Sequence, residues 1–268
     1  MLAFKTGSID EKARDVKLSQ PLYNVYERSL AGAIPMDKLP HHIGVLMDGN
    51  RRWAAQLGES TKRGHQAGAQ NVIDFLSWCR ELGIPMVTLY MLSTENLKRS
   101  PAELADLLEV IESLIGSLAA SGVGKIRPVG QLNSLPESLC SAFDAATDQS
   151  QNIEHLQVNI AVGYGGRQEI VDAVRDLLKE ASDEGLSLSE LADTLDLEDI
   201  SRHLYTKGMP DPDLLIRTSG EQRLSGFLTW QSAYSEFYFC EALWPDFRRV
   251  DFLRALRDFA HRQRRFGS

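Results

Sequence analysis

Three strand-end clusters carry the residues that can do chemistry. Asp48-Gly49-Asn50-Arg51-Arg52 follows the apolar run Ile43 to Met47. Asp48 offers hard carboxylate oxygens of the kind Mg²⁺ takes. The Gly49 and Asn50 backbone N–H groups, opening a helix, make a concavity for an anion. Arg52 adds a guanidinium fork for phosphate oxygens. The second cluster is Ser93, Glu95, Asn96 and Arg99, and the third is Arg217, Arg223 and Ser225, which together would clamp one diphosphate. Glu236, just before a further strand between Tyr234 and Tyr238, is the expected second carboxylate, sharing one cation with Asp48. The carboxylate, glycine-cornered turn and cation of the first cluster point to a metal-bound diphosphate. The competing account of each cluster is a solvated surface turn.

Other candidates point less sharply. His65, one residue after Gly64 at a helix start, is either structural or a phosphate partner. Gly163-Tyr164-Gly165-Gly166 lacks both the Lys-Ser/Thr ending of a P-loop and the G-x-G-x-x-G spacing, so it reads as a tight strand-to-helix turn. No Ser-His-Asp order and no metal-spaced cluster occurs. Cys79, Cys140 and Cys240 are scattered in apolar contexts and read as core thiols rather than a disulfide or zinc site.

The elements that must position these residues alternate. Strands are expected at Ile43–Met47, Met86–Leu92, Lys125–Val129, Leu156–Val162, Leu214–Ile216 and Phe237–Cys240. Helices are expected over Gly64–Leu82, with Gly83 at its C-cap, from Pro101, over Leu135–Thr147, over Gln168–Ala181 and over Phe252–Arg262. Residues 182–209 are acidic and suit short surface helices. The apolar stripe Leu104, Leu107, Leu108, Ile111, Leu114, Ile115 and Leu118 is either core or the wall of a greasy tunnel. Strands alternating with helices predict a parallel sheet with right-handed crossovers.

The expected fold is α/β: a single domain over residues 40–268, with a six-stranded, mainly parallel sheet flanked by helices, preceded by an N-terminal arm over residues 1–39. The chain has 268 residues, enough to bury a sizeable core. A net charge of −8 argues against general nucleic-acid binding. No apolar run is long enough to span a bilayer, and the N-terminus lacks a signal-peptide pattern. A soluble, cytoplasmic protein is expected, with peripheral contact at a membrane surface left open.

Five motifs in one order resemble the cis-prenyltransferases, the undecaprenyl diphosphate synthase family. They are His42 to Trp53 with Gly64-His65-Gln66-Ala67-Gly68; Leu92-Ser93-Thr94-Glu95-Asn96-Leu97; Asn159 to Arg167; Asp213 to Gly226; and Trp230 to Phe239. The resemblance implies condensation of isopentenyl diphosphate with an allylic diphosphate, giving a new Z double bond, in a fold with a hydrophobic tunnel. It implies Mg²⁺ held by Asp48 and Glu236. Asp48 and Asn96 take catalytic roles, with Asn96 an orienting group and the released diphosphate accepting the proton, because an amide is a poor base. Gly49, Asn50, Arg51, Arg52, Trp53, His65, Ser93, Thr94, Glu95, Leu97 and Arg99 surround the allylic diphosphate. Arg217, Arg223, Leu224 and Ser225 bind isopentenyl diphosphate.

Four positions depart from the family pattern. Arg51 replaces a common Gly, Thr61 a phosphate-binding Arg for which Arg63 can substitute, Leu97 a common Trp, and Met91 an Ala kept by long-chain members. The combination of Leu92-Ser93-Thr94-Glu95-Asn96-Leu97 with Asn50-Arg51-Arg52 resembles the actinobacterial short-chain branch, which makes (2Z,6E)-farnesyl diphosphate from geranyl diphosphate. Met91 is then the residue that limits chain length, its other role being an ordinary core Met. The alternatives are a long-chain undecaprenyl or decaprenyl diphosphate synthase and a non-catalytic subunit of a prenyltransferase complex. The ending Arg264-Arg265-Phe266-Gly267 resembles one that reaches across a homodimer to the partner's isopentenyl diphosphate site.

Overall fold

The computed structural model describes residues 23–262. These fall into two compact units, one of residues 23–39 with 248–262 and one of residues 40–247. The expected arm over residues 1–39 is therefore described only in part, and the Arg264 to Gly267 ending lies outside the described residues.

In the larger unit six strands form one sheet: β1 (His42–Leu46), β2 (Met86–Ser93), β3 (Lys125–Val129), β4 (Gln157–Tyr164), β5 (Leu214–Arg217) and β6 (Glu236–Phe239). Every pairing is parallel, in the order β3-β4-β2-β1-β5-β6. Continuous apolar runs are what a strand covered on both faces requires, and all five residues of β1 and all four of β5 are buried. The strand order reverses between β1 and β5, and open parallel sheets take their ligands at such a switch point, beyond the carboxyl ends of the strands.

The helices follow as expected, with longer bounds. They are α1 (Asn50–Leu57), α2 (Thr61–Glu81), α3 (Pro101–Ser121), α4 (Glu137–Ser150), α5 (Gly166–Asp183), α6 (Leu188–Thr194) and α7 (Leu197–Ser201). The ends were set by caps that apolar periodicity does not register. Ser60 accepts from the Arg63 N–H and starts α2 three residues before Gly64, and Ser100 accepts from Glu103 N–H before Pro101. Leu107, Ile111, Leu114, Ile115 and Leu118 of α3 are buried, while Leu104 and Leu108 are half-buried. The Gly163 to Gly166 run is the turn from β4 into α5, not a phosphate loop. Gly166 gives its N–H to Gly226 O at 2.7 Å, an approach that a side chain would obstruct.

In the smaller unit residues 23–32 are helical and Arg249–His261 forms α8. Arg248 and Arg254 lie over the rings of Tyr23 and Tyr26 at 5.5 and 5.4 Å, and Arg249 meets Glu27 at 3.3 Å. No described helix is long and apolar enough to cross a membrane.

Candidate active site

At the switch point β1 and β5 deliver opposite charges side by side. Leu46 pairs with Arg217, and two residues past Leu46 the Asp48 Oδ2 receives a hydrogen bond from Arg217 at 2.8 Å. Arg217 is 4% exposed. Its other terminal nitrogen donates to Ser225 Oγ at 2.9 Å and to the Arg223 carbonyl, so this one guanidinium draws the loop after β5 onto the strand ends. Burial would raise the Asp48 carboxyl, but the hydrogen bond and charge of Arg217, with Arg52 beside them, outweigh it and hold the group ionised below its ordinary range.

The turn between β1 and α1 has no side-chain cap. Gly49 is left-handed, with φ 113°, and a Cβ there would stand 2.9 Å from the Leu243 side chain. The first intrahelical bond runs from Trp53 N–H to Gly49 O at 2.9 Å. The N–H groups of the preceding turn thus point outward as an anion cradle. Beside them His65, 8% exposed, has an unpartnered Nε2. Burial, with Arg99 and Arg51 nearby, pushes its pKa down to about 4, so the imidazole is neutral at pH 7.

The loop after β5 is conformationally unusual. Ser219, Ser225 and Leu228 all have positive φ, as do Gly220 and Gly226. Non-glycine residues persist there only where their surroundings over-determine them, and such strain gathers at binding sites. Thr218 Oγ1 donates to Asp48 O at 2.7 Å, Ser219 N–H to Ala242 O at 2.7 Å and Gly220 N–H to Cys240 O at 2.9 Å, which tie the loop down.

All of this opens into one cavity of about 840 Å³. Its cationic mouth holds Asp48, Asn50, Arg51, Arg52, His65, Arg99, Arg217, Arg223 and Ser225, with Gly49, Ser93, Glu95 and Asn96. Behind the mouth the wall is apolar: Ala69 and Val72 from α2, Met91 from β2, Leu107, Val110, Ile111 and Leu114 from α3, and Trp244. The α3 stripe is thus both core and tunnel wall. Met91 reaches the cavity because β2 bulges there: Tyr90 pairs with Ala161 and Leu92 with the next residue, Val162, leaving Met91 as the extra residue. A bulge re-aims side chains, so Tyr90 and Met91 both line the cavity.

Several expected residues lie elsewhere. Glu236 opens β6 opposite Leu214, while Arg217 pairs with Phe239. In a parallel sheet this puts Glu236 at the amino end of its strand, three residues or about 10 Å back from the Arg217 level. The expected sharing of one cation by Asp48 and Glu236 within this chain is therefore not met. Trp53 turns its Nε1 to Asp246 at 2.8 Å. Leu224 packs on the buried cluster around Tyr164 and Phe227. Thr94 lies against Gly165, and Thr94 and Leu97 are absent from the cavity wall. Arg63 is exposed on the first turn of α2 and does not reach the wall either.

Glu221 is the residue the sequence reading missed. It lines the cavity, with Oε1 3.9 Å from Arg52, whose other terminal nitrogen is 4.0 Å from Asp48, and it also pairs with Arg223. Its signal was its place, four residues past Arg217 in the same loop. Asp48 and Glu221, which meet through Arg52, are with Glu95 the carboxylates of this mouth, where a hard cation would find its oxygen ligands.

A parallel sheet with a cationic mouth at its switch point and an apolar pocket behind it suits an enzyme acting on an anion that carries a hydrocarbon chain. Comparison with known proteins agrees. The profile of the family described as "Putative undecaprenyl diphosphate synthase" matches residues 46–267. A (2Z,6E)-farnesyl diphosphate synthase of Thermobifida fusca is 56% identical over 248 residues, covering 92% of this chain and 97% of its own. Isoprenyl transferase 1 of Streptomyces avermitilis is 51% identical, covering 94% and 98%. The crystal structure of lavandulyl diphosphate synthase from Lavandula x intermedia, in complex with dimethylallyl diphosphate, superposes with a TM-score of 0.80 at 36% identity, over 87% of this chain and all of that one. The chain belongs to the cis-prenyltransferase family, and is an enzyme of the isoprenyl transferase type.

Proposed function

We propose that the protein joins isopentenyl diphosphate to geranyl diphosphate and releases the fifteen-carbon (2Z,6E)-farnesyl diphosphate. The observation that carries this reading is the division of the cavity. Two adjacent cationic clusters meet at the Asp48–Arg217 pair, and an apolar pocket with Met91 in its wall lies behind them. The whole cavity, mouth included, is about 840 Å³ and sits within the roughly 300–1,000 Å³ of ordinary small-ligand sites.

The allylic diphosphate rests on the Asn50 and Arg51 N–H groups, Arg52 and the neutral His65, its chain running down between Val72, Met91 and Ile111. Isopentenyl diphosphate rests on Arg217, Arg223 and Ser225. The allylic C1–O bond breaks as C1 bonds to C4 of the isopentenyl unit. A proton then leaves C2 of that unit for the released diphosphate. The half-sites hold the two reacting carbons together, which is worth about 7–11 kcal/mol in favourable cases.

Magnesium fits this mouth. Its ordinary demand is one or two carboxylates completed by substrate oxygens and water. Asp48 is ionised, half-exposed and faces the cavity, and Glu221 stands across Arg52 from it. These two residues would hold the ion, which supplies Lewis-acid stabilisation of the leaving diphosphate. The protein acts in the cytoplasm, a reading its free thiols Cys79, Cys140 and Cys240 support. It works as a homodimer, each subunit lending Arg265 and Gly267 to the other's isopentenyl site. The test is turnover with the two diphosphates and Mg²⁺, products sized by chromatography. A fifteen-carbon product is expected. Products of fifty carbons or more would make it a long-chain synthase, and no turnover would leave a non-catalytic subunit.

A further inference from the structure

Glu103 touches two of the residues around the mouth without being in its wall. It is the third residue of α3, its N–H held by Ser100 Oγ at 3.4 Å. Its Oε1 accepts from Arg99 at 3.1 Å and from Arg51, in the first turn of α1, at 3.4 Å. One carboxylate oxygen therefore bridges two guanidinium groups that would otherwise repel. The second terminal nitrogen of Arg99 donates to Asn96 Oδ1 at 3.0 Å, and the Asn96 N–H donates to Ser93 Oγ at 3.1 Å. Arg51, Ser93, Asn96 and Arg99 all line the cavity.

The chemistry of the guanidinium settles which way the Asn96 amide turns. Arginine only donates, so the amide atom facing Arg99 is the oxygen. What Asn96 has left to offer a ligand is its NH₂ group, a donor of two hydrogen bonds with no capacity to take a proton. The side chain can then hold a diphosphate oxygen but cannot deprotonate the isopentenyl unit. Arg99 is held on both sides, its side chain 17% exposed and that of Glu103 28% exposed. The Arg51 end, at 59%, is the looser one. The first two are sheltered enough for the link to be stiffer than an ordinary surface pair.

We propose that Glu103 is a positioning residue for the condensation: by bridging Arg51 and Arg99 it keeps Asn96 with its amide nitrogen toward the substrates' diphosphate oxygens. This rests on the proposed prenyl transfer. Among the described residues the carboxylates of the wall, Asp48, Glu95 and Glu221, form no ion pair with Arg51 or Arg99, so none of them replaces Glu103 in this role.

A double-mutant cycle tests it. Glu103→Ala is expected to lower kcat about ten- to a hundredfold, the scale on which a misplaced positioning group is felt, with KM for isopentenyl diphosphate changed less than threefold. Asn96→Ala should lower kcat as well, and Glu103→Ala added to it should cost less than a further threefold, because the group it positions is gone. Glu103→Gln, which keeps an acceptor oxygen at α3 and guards against a folding defect in the alanine variant, should recover most of the kcat. Multiplicative losses in the double variant, or wild-type kcat in Glu103→Ala, would overturn the proposal. Absence of turnover in the unmodified protein would remove the proposed function and this role together, whereas normal turnover with independent losses removes this role alone.

Discussion

Replacing Asp48 separates what the carboxylate does for the reaction from what it does for the fold. Two variants are informative because Asp48→Asn keeps an oxygen for Arg217 while Asp48→Ala does not. In Asp48→Ala the nearly buried Arg217 loses its ion pair. Stripping one partner from a fully buried pair costs about 3–5 kcal/mol. Here the Asp48 side chain is 39% exposed, so water screens the pair, and Arg217 keeps Ser225 Oγ and the Arg223 carbonyl. The cost should therefore fall to about 1–2 kcal/mol. At roughly 2–4 °C per kcal/mol for a chain of this size, Tm should drop by about 2–8 °C in Asp48→Ala and hardly at all in Asp48→Asn. Catalysis should not make that distinction. Both variants lose the charge that would hold the cation against the leaving diphosphate. A loss of about 4 kcal/mol of transition-state stabilisation is a thousandfold in kcat. Calorimetry and steady-state turnover on the two proteins read the two effects. Asp48→Asn turning over within tenfold of the wild type would refute the assignment of the metal to this residue, and equal Tm losses in both variants would refute the account of Arg217.

Met91→Ala should open the apolar pocket behind the mouth and shift the product distribution above fifteen carbons, read by chromatography; an unchanged distribution places the length limit elsewhere. His65 is held neutral with its pKa at about 4 against an ordinary 6.5, so the unfolded chain binds the proton first. Stability contributed by the neutral ring is present above pH 6.5 and is lost as pH falls toward 4, by at most about 3 kcal/mol. Buried His42 is shifted the same way. His65→Gln should flatten part of that decline in a Tm-against-pH series, and an unaltered slope would contradict it. Gly166→Ala would put a Cβ 2.7 Å from Gly226 O, pushing away the loop that carries Arg223 and Ser225; KM for isopentenyl diphosphate should rise severalfold with kcat less affected. Truncation after Arg262 should also raise that KM, and unchanged kinetics would rule out a contribution of Arg265 and Gly267.

Strands and their carboxyl-end clusters were legible because a doubly covered strand is an unbroken apolar run that stops where the polar loop begins, as Ile43 to Met47 stops at Asp48. That signal says where a strand stops, but a residue near a strand's edge can belong to either end of it. Glu236 was rightly read as preceding its strand, but that is the amino end of β6, and the pairings of Glu236 with Leu214 and of Phe239 with Arg217 set it three residues back from the level of Arg217. Trp53 went astray differently, since its indole partner Asp246 is 193 residues away and no local pattern announces it. Met91 was singled out by its size, yet its access to the cavity depends on a bulge whose extra residue appears only against β4. Glu221 was overlooked because a lone acidic residue in a Gly-containing loop reads as solvated. Its contact with Arg52 depends on left-handed turns at Ser219 and Gly220, which the residue types do not announce.

The Asp48–Arg217 pair joins one residue from each half-site by a single 2.8 Å contact. An isopentenyl diphosphate that draws the Arg217 guanidinium toward itself frees Asp48 Oδ2, and a carboxylate with both oxygens free is a better ligand for a divalent cation. The cation should thus bind more tightly once the isopentenyl substrate is in place. By thermodynamic reciprocity the cation must raise the affinity for isopentenyl diphosphate by the same factor. Under the proposed function the ion pair would act as a linkage between metal and the non-allylic substrate, and would make their binding cooperative without requiring any movement of the sheet.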